Sequence, residues 1–294
     1  MSLRAAVADY YFAHAAELPL DKQFHLANRL AAWQDDPRAR AMLANLKSEI
    51  VPDPLNDETL VAAFRMIMAG EPPLTMAAYE LRRPYFAAYP ALFGAHNALL
   101  RLRHLRDIYG IDARAAFATV IPTEQLRQLE QKLLVDPEAI RILSTQVINT
   151  LYLLHIVVLQ DDDLPVQAFY DAGQSGYDLH NPEHVRLLIY LYTHCILAAS
   201  NFYIQSLPPA HLPIYHAMLE YLEVLIDKQF VEISLDTKVE FWACCRVAGY
   251  ETKLAARIDE ECASSVSPEG TFIVDTYNIL RALQAKVRGF FFFK

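Results

Sequence analysis

The stretch NPEHVRLLIYLYTHCILAASNFYI, residues 181–204, decides the fold class of this chain. It begins with an asparagine, a proline and a glutamate, the order of a helix cap, a first helical position and an acid near the positive helix end. The apolar run that follows is far longer than the roughly 4–8 residues of a buried strand. The stretch therefore predicts a helix that is buried on more than one face.

Residues 187–204 of this stretch carry no formal charge, and their length approaches the roughly 20 residues that cross a bilayer. They include polar side chains that are costly in lipid, namely Thr193, His194, Ser200 and Asn201. We therefore expect a central core helix and no membrane partner. The N-terminus shows no basic segment followed by an apolar run, so we expect no secretory signal and a cytoplasmic location.

The same helix-start signal, a capping residue followed by proline, recurs at Asp36-Pro37 and Asp136-Pro137. No segment alternates apolar and polar residues for long enough to predict a sheet. The fold class predicted is all-α, a multi-helical array of helical hairpins. Helices are expected near residues 3–16, 21–33, 36–50, 57–69, 74–89, 91–109, 122–134, 136–159, 182–206, 210–228, 235–248, 251–264 and 271–286.

Residues 160–177 are the most loop-like part of the chain, with three aspartates at 161–163 and glycines at 173 and 176. They predict a boundary between an N-terminal helical portion, 1–160, and a second portion, 161–294, packed against it. Helices in the second portion recur about every 20–25 residues, a spacing typical of stacked helical hairpins.

Composition restricts the function classes. Hydrophobic residues make up 54% of the 294 residues, which favours a layered or toroidal helical array. The 26 basic and 35 acidic residues give a net charge of −9, which argues against nucleic acid as a partner. No phosphate-binding glycine loop and no Gly-x-Ser-x-Gly motif occurs, so we predict no cofactor and no serine hydrolase.

The strongest candidate for chemistry is a pair of polar residues in the stretch quoted above. His194 and Asn201 are seven residues apart and share one face of the predicted helix. One interpretation is a core histidine that is hydrogen-bonded to a neighbouring helix. The other is an acid–base histidine inside a helical cavity, with Asn201 orienting it.

A second pair lies on the helix predicted at 235–248. Asp236 and Glu240 are four residues apart, among Val239, Phe241 and Trp242. Two carboxylates on one face can hold a cation or provide a base with a raised pKa. The alternative is that Asp236 serves the helix N-terminus and Glu240 pairs with a nearby basic side chain.

Two residue pairs, His194-Cys195 and Cys244-Cys245, carry zinc-type ligands about fifty residues apart. Adjacent helical residues point about 100° apart, and no short ligand spacing supports a site. We therefore predict no metal. These three cysteines and the fourth, Cys262, are expected to be reduced thiols of a cytosolic protein.

In the N-terminal part, His25, Arg29 and Trp33 form a stripe at intervals of four residues. Such a stripe can bind a planar or anionic group of a substrate. The alternative is a half-buried packing stripe.

Three short motifs lie in the C-terminal part: Tyr192-Thr193-His194 followed by Asn201-Phe202, Asp236-x-x-x-Glu240 in a helix ending at Gly249, and Glu269-Gly270-Thr271-Phe272 followed by Asp275 and Tyr277. In these motifs residues 185–285 resemble an uncharacterised group of bacterial all-helical proteins with α/α-toroid character, which tends to have aspartate where Asn201 stands. The resemblance implies that His194, Asn201, Asp236 and Glu240 converge on one pocket, with Tyr277 as a further substrate contact. By analogy it implies an accessory role in bacterial secondary metabolism.

Two function classes follow from these residues, and a third stays open. The first is a biosynthetic or accessory enzyme that acts on a small or peptide-linked substrate in a helical cavity, with His194, Asn201, Asp236 and Glu240 as its catalytic residues. The second is a non-catalytic helical scaffold that binds a partner protein or peptide. The third is a small-molecule-binding regulator. A homo-oligomer is compatible with each.

Overall fold

Caps and prolines divide the chain into helices largely where the sequence predicts them. The computed structural model describes residues 3–72, 80–161 and 164–266, and these ranges contain fifteen α-helices and no β-strand. The prediction of an all-α fold is confirmed. The helices are α1 Leu3–Ala13, α2 Leu20–Gln34, α3 Pro37–Asn45, α4 Lys47–Ile50, α5 Asp57–Met68, α6 Arg83–Ala88, α7 Pro90–Tyr109, α8 Arg114–Val120, α9 Thr123–Leu134, α10 Pro137–Leu153, α11 Val166–Gly173, α12 Pro182–Ala199, α13 Leu212–Lys228, α14 Leu235–Ala248 and α15 Ala255–Ser264.

The three predicted cap-and-proline signals each start a helix. The side chains of Asp36, Asp136 and Asn181 accept hydrogen bonds of 2.8–2.9 Å from backbone N–H groups in the first turn. Each cap is followed by a proline, whose missing N–H costs nothing at the first helical position. These contacts satisfy donors that a helix start otherwise leaves unpaired.

Several helices differ from the predictions, and the helix predicted at 36–50 is divided into α3 and α4. The helix predicted at 182–206 ends at Ala199, because Asn201, Phe202 and Tyr203 have left-handed backbones with φ of 48°, 57° and 69°. Two short helices, α8 and α11, were not predicted, and α11 lies in the stretch interpreted as a loop. The predicted helix at 271–286 and residues 74–79 of another lie outside the described residues.

The contacts between residues divide the chain into two compact units. Among the described residues, the first unit contains those up to Leu46 together with 216–266, and the second contains those from Lys47 to Tyr215. Residue 160, where the sequence predicts a boundary, lies within the second unit. The predicted pair of domains stays a prediction.

Helix α10 is the centre of the second unit. It packs against α7, α9, α11 and α12, while α5 packs against α7 and α8. Helix α12 buries fourteen of its residues, as expected for a helix that is apolar on every face. Helix α10 is kinked at Ser144 and continues as a π-helix over Leu154–Leu159.

The first unit has two described helical pairs. Helices α2 and α3 pack together around Ala15, Leu26, Leu30 and Ala39, and α14 packs against α15. Gly249 ends α14 with a left-handed φ of 64°, a conformation that costs glycine little.

One helical segment in the described ranges, Pro137–Leu159, is long and apolar enough to cross a membrane. Of its most apolar window, 67% is buried inside the protein, and core helices of soluble proteins also have this property. The segment is therefore weak evidence for a membrane span.

Candidate functional site

A surface cleft lies beside α14 and α15 in the first unit. Its volume is about 530 Å³, and it is lined by Phe230, Val231, Lys238, Arg257, Glu260, Glu261 and Ser264. This volume falls within the roughly 300–1,000 Å³ of small-molecule sites. We call this feature the α14–α15 cleft.

One of the residues that line the cleft, Lys238 of α14, is a buried lysine. Lys238 lies three residues after Leu235 and three before Phe241, and all three side chains are buried. Residues three and four apart share one side of a helix, so the ammonium group enters an otherwise apolar face. Lys238 was not among the predicted site residues, although a lysine at such a position is a local sequence signal of a buried charge.

The ammonium group of Lys238 is held by three partners. Its Nζ donates a 3.0 Å hydrogen bond to the carbonyl of Phe230 and lies 2.5 Å from Glu261 Oε2. The same nitrogen is 4.2 Å from the centroid of the Phe230 ring, within the range of a cation–π contact. Such partners are needed, because an ion in a protein interior loses several kcal/mol of hydration.

A second cation contacts the same ring from α15. The guanidinium carbon of Arg257 lies 3.8 Å from the Phe230 ring centroid, and its Nη1 donates a 2.7 Å hydrogen bond to Asp227. Asp227 also pairs with Lys253 at 3.0 Å, and the hydrogen bond and charge of Lys253, together with Arg257, lower the pKa of this carboxyl group. Both cations of the cleft wall therefore already have a carboxylate partner.

Two exposed residues at the cleft are free to meet another molecule. Val231 keeps 64% of its surface exposed. Glu260 is exposed, and no ion pair among the described residues involves it. The cleft thus offers an exposed apolar side chain and a carboxylate that forms no ion pair with any described residue.

His194, the predicted acid–base residue, is buried in the second unit with 4% of its surface exposed. Its Nδ1 lies 3.2 Å from Asn149 Oδ1 on α10, and its ring meets Tyr190 edge-on at 6.0 Å. This environment is that of a core histidine with a hydrogen-bond partner on a neighbouring helix.

Asn201, its predicted orienter, lies beyond the end of α12 in the left-handed turn. Asn201 Oδ1 accepts hydrogen bonds from the guanidinium of Arg103 and, at 2.7 Å, from the hydroxyl of Tyr152. The Arg103 guanidinium carbon also lies 5.3 Å from the Phe202 ring centroid. The described hydrogen bonds of His194 and Asn201 thus go to different partners.

The second predicted pair, Asp236 and Glu240, lies on α14 in the first unit. Asp236 is buried in the first turn of the helix, where a carboxylate is favoured by the helix dipole. Glu240 is half-buried, and each of the two side chains takes part in a polar or electrostatic interaction. The four predicted catalytic residues are therefore divided between the two units.

The predicted substrate-binding stripe lies on α2. The guanidinium carbon of Arg29 is 5.7 Å from the Trp33 ring centroid, so these two side chains are neighbours on the helix. Burial, assisted by the charges of Arg29 and Lys22, lowers the pKa of His25 to about 3. Tyr277, the fourth predicted substrate contact, lies outside the described residues.

Burial makes three of the four thiols poor nucleophiles. Burial raises the pKa of Cys195 and Cys245 well above the usual range, and raises that of Cys262 to about 11. Their reactive thiolate form is therefore scarce at neutral pH. Within the described ranges, no group of three or more His, Cys, Asp and Glu side chains is arranged to hold a metal ion.

Comparison with known proteins adds no relative. The chain matches no family model, no curated protein and no solved structure. The resemblance of residues 185–285 to a bacterial group stays a prediction.

Proposed function

We propose that this protein is a non-catalytic helical scaffold that binds a segment of a partner protein in the α14–α15 cleft. The observation that carries the proposal is that one open cleft presents an exposed apolar side chain, Val231, and a carboxylate, Glu260, that forms no ion pair within the described residues. Protein interfaces combine an apolar centre with a polar rim, and Val231 and Glu260 could supply one part of each.

The partner segment we propose carries a lysine or arginine next to an apolar side chain. The cations of the cleft, Lys238 and Arg257, pair with Glu261 and Asp227, and among the described residues neither pairs with Glu260, which can therefore accept a positive group of a partner. The net charge of −9 adds a long-range attraction for basic partners. An apolar neighbour of the basic residue would cover Val231.

The environment of the predicted catalytic residues favours this scaffold over an enzyme built on them. His194 is a buried core residue bonded to Asn149, and Asn201 is engaged by Arg103 and Tyr152. General acid–base groups must reach the substrate directly or through one water.

Selection from a random peptide library on the immobilised full-length protein tests the proposal. We expect enrichment of peptides with a basic residue beside an apolar one. A selected peptide should bind Glu260→Lys about tenfold more weakly than wild type, because like charges then face each other. Val231→Asp should weaken binding as well, because it places a charge on the apolar side of the cleft.

Glu124→Lys on α9 is the matched control, since Glu124 is an exposed glutamate outside the cleft. It should bind the selected peptide as wild type does. Failure to enrich any peptide, or equal binding by wild type and Glu260→Lys, would overturn the proposal.

A second candidate function is the enzyme, acting on a small or peptide-linked substrate. The observation that favours it is the buried ion pair of Lys238 and Glu261 in a cleft of small-molecule size. Native mass spectrometry with metal analysis, on protein purified without chelator, tests it. A retained small molecule or stoichiometric metal supports the enzyme, and a clean apo mass favours the scaffold.

The finer architecture and the setting of the protein belong to the same proposal. We infer stacked helical hairpins, α/α-toroid-like in the C-terminal part, and the packing of α14 on α15 is compatible with one such hairpin. A cytoplasmic location and an accessory role in bacterial secondary metabolism complete the proposal, and the second rests on the resemblance.

A further inference from the structure

A histidine between two carboxylates lies at the π-helical end of α10. His155 is 8% exposed, and its Nε2 lies 2.7 Å from Glu130 Oε1 on α9. Its Nδ1 contacts Asp161 Oδ1, just after the π-helix. No sequence motif predicts this cluster, because its members are 25 and 6 residues apart.

The geometry of the cluster defines a protonation state. An ionised carboxylate only accepts hydrogen bonds, and a neutral imidazole has only one N–H group. Both ring nitrogens of His155 face a carboxylate oxygen, so both contacts are hydrogen bonds only when the ring carries two protons. Loss of one proton leaves a nitrogen lone pair against a carboxylate.

We propose that His155, Glu130 and Asp161 form a proton-dependent clamp. It links the π-helical turn to α9 through Glu130 and to the chain just beyond the turn through Asp161. The clamp is closed while the imidazole is charged and loses one of its two links when the ring becomes neutral. π-Helical turns often mark functional positions in helices.

The carboxylate exposures decide which link is lost. The Glu130 side chain is 15% exposed, whereas that of Asp161 is 45% exposed. A carboxylate that separates from the ring must be hydrated, and Asp161 reaches water more readily. The neutral ring therefore keeps Glu130 and releases Asp161.

The groups around the ring support a clamp that opens at about pH 8. Burial lowers the pKa of His155, but the hydrogen bonds and charges of Glu130 and Asp161 outweigh it and raise the pKa to about 8. From α7, Arg106 donates to the carbonyl of Ile156 at 2.9 Å and pairs with Asp107. Because the folded pKa lies above the ordinary 6.5, the contribution of the clamp is full below pH 6.5 and is lost as pH rises through about 8.

The test is an NMR titration of the histidine rings in the full-length protein, as wild type and as Glu130→Gln and Asp161→Asn. The His155 signal is identified by its loss in His155→Gln. We expect His155 to titrate at about 8 in wild type, and about one unit lower in each variant, the usual scale for a neighbouring charge. Glu124→Gln, the same change at an exposed site of α9, should leave the titration unchanged.

Amide hydrogen exchange provides a second measurement that does not depend on the ring signals. Protection of residues 160–161, corrected for the pH dependence of intrinsic amide exchange, should fall between pH 7 and 9 in wild type and in Glu124→Gln, and should already be low in Asp161→Asn. A wild-type His155 that titrates near 6.5, or a titration that neither carboxylate variant moves, would overturn the proposal. Asp161→Asn keeps the test valid if Glu130→Gln fails to fold, because Asp161 is half exposed.

Discussion

The Nζ atom of Lys238 lies 2.5 Å from Glu261 Oε2, on a face of α14 whose neighbouring positions are Leu235 and Phe241. The lysine side chain is 1% exposed and the glutamate side chain 20% exposed. The two partners are therefore not equivalent. A lone carboxylate here can still reach water, whereas a lone ammonium cannot.

This asymmetry predicts unequal effects of two substitutions on stability. Glu261→Gln should lower the free energy of unfolding by about 3 kcal/mol, because it leaves a buried charge without its partner. Lys238→Met should cost about 1 kcal/mol or less, since an apolar side chain of similar length fills the same space. Urea denaturation measures both, with Glu260→Gln as an exposed neighbour that should be neutral. Equal losses for the two variants would contradict the unequal burial of the pair.

Gly94 on α7 is predicted to resist substitution although it lies in a helix interior. A Cβ atom at this position would lie 2.5 Å from the carbonyl oxygen of Met68 at the end of α5. Gly94→Ala gains up to about 1 kcal/mol of helix propensity, but overpacking of this kind costs about 1–3 kcal/mol. We expect a net loss of stability by thermal unfolding. A Gly94→Ala protein that unfolds at a higher temperature than wild type would show that α5 and α7 are not in close contact.

At position 201, the side-chain acceptor oxygen should contribute more to folding stability than the amide NH₂ group does. Asn201→Ala removes the acceptor used by Arg103 and Tyr152 and should cost about 2 kcal/mol. Asn201→Asp keeps the oxygen and makes a charge-assisted bond to the guanidinium, so it should retain wild-type stability.

Asn201→Gly is the control for backbone strain, because glycine accepts the left-handed conformation at little cost. It should lose most of what Asn201→Ala loses, since it also lacks the oxygen. Chemical denaturation of the three variants is the measurement. If Asn201→Gly matched wild type, the hydrogen bonds to Arg103 and Tyr152 would contribute little.

The imidazole of His96 should make the free energy of unfolding fall in acid. Burial lowers the pKa of its imidazole to about 4, while its Nδ1 lies 3.2 Å from Thr150 Oγ1. Because the folded pKa is depressed below 6.5, its contribution is full above pH 6.5 and is lost as pH falls towards 4. At pH 4.5 the loss is about 2 kcal/mol.

His96→Gln removes the titrating group and should flatten the fall of unfolding free energy between pH 6.5 and 4.5. His180→Gln, at an exposed histidine, should leave the slope as in wild type. Urea denaturation at several pH values compares the slopes, and parallel slopes for wild type and His96→Gln would contradict the depressed pKa.

The helices were predictable because their signals are local. A cap followed by proline, as at Asp136-Pro137, places donors and acceptors within one turn, so the sequence alone locates the start. The end of α12 was not predicted, and the side chain of Asn201 in the left-handed turn bonds Arg103 and Tyr152, 98 and 49 residues away. Contacts of that separation leave no periodic trace in the sequence.

The candidate sites were less predictable than the helices. A polar residue in an apolar helix, such as His194, predicts a functional histidine. The same pattern arises when a core histidine bonds a neighbour such as Asn149. The α14–α15 cleft combines residues of two helices with Phe230 and Val231 from the segment between α13 and α14. A lysine at the buried position 238 was its local sign, and spacing could not reveal that Glu261 lies opposite.

The central claim is that the α14–α15 cleft binds a basic segment of a partner protein. An exchange of charges between Glu260 and a bound peptide tests it most directly. The dissociation constant of a library-selected peptide is measured for wild type and Glu260→Lys, each with the original peptide and with its basic residue changed to glutamate. We predict that either single change weakens binding about tenfold and that the two together restore much of it, since opposite charges again face each other. Additive losses with no recovery would show that the peptide does not bind against Glu260.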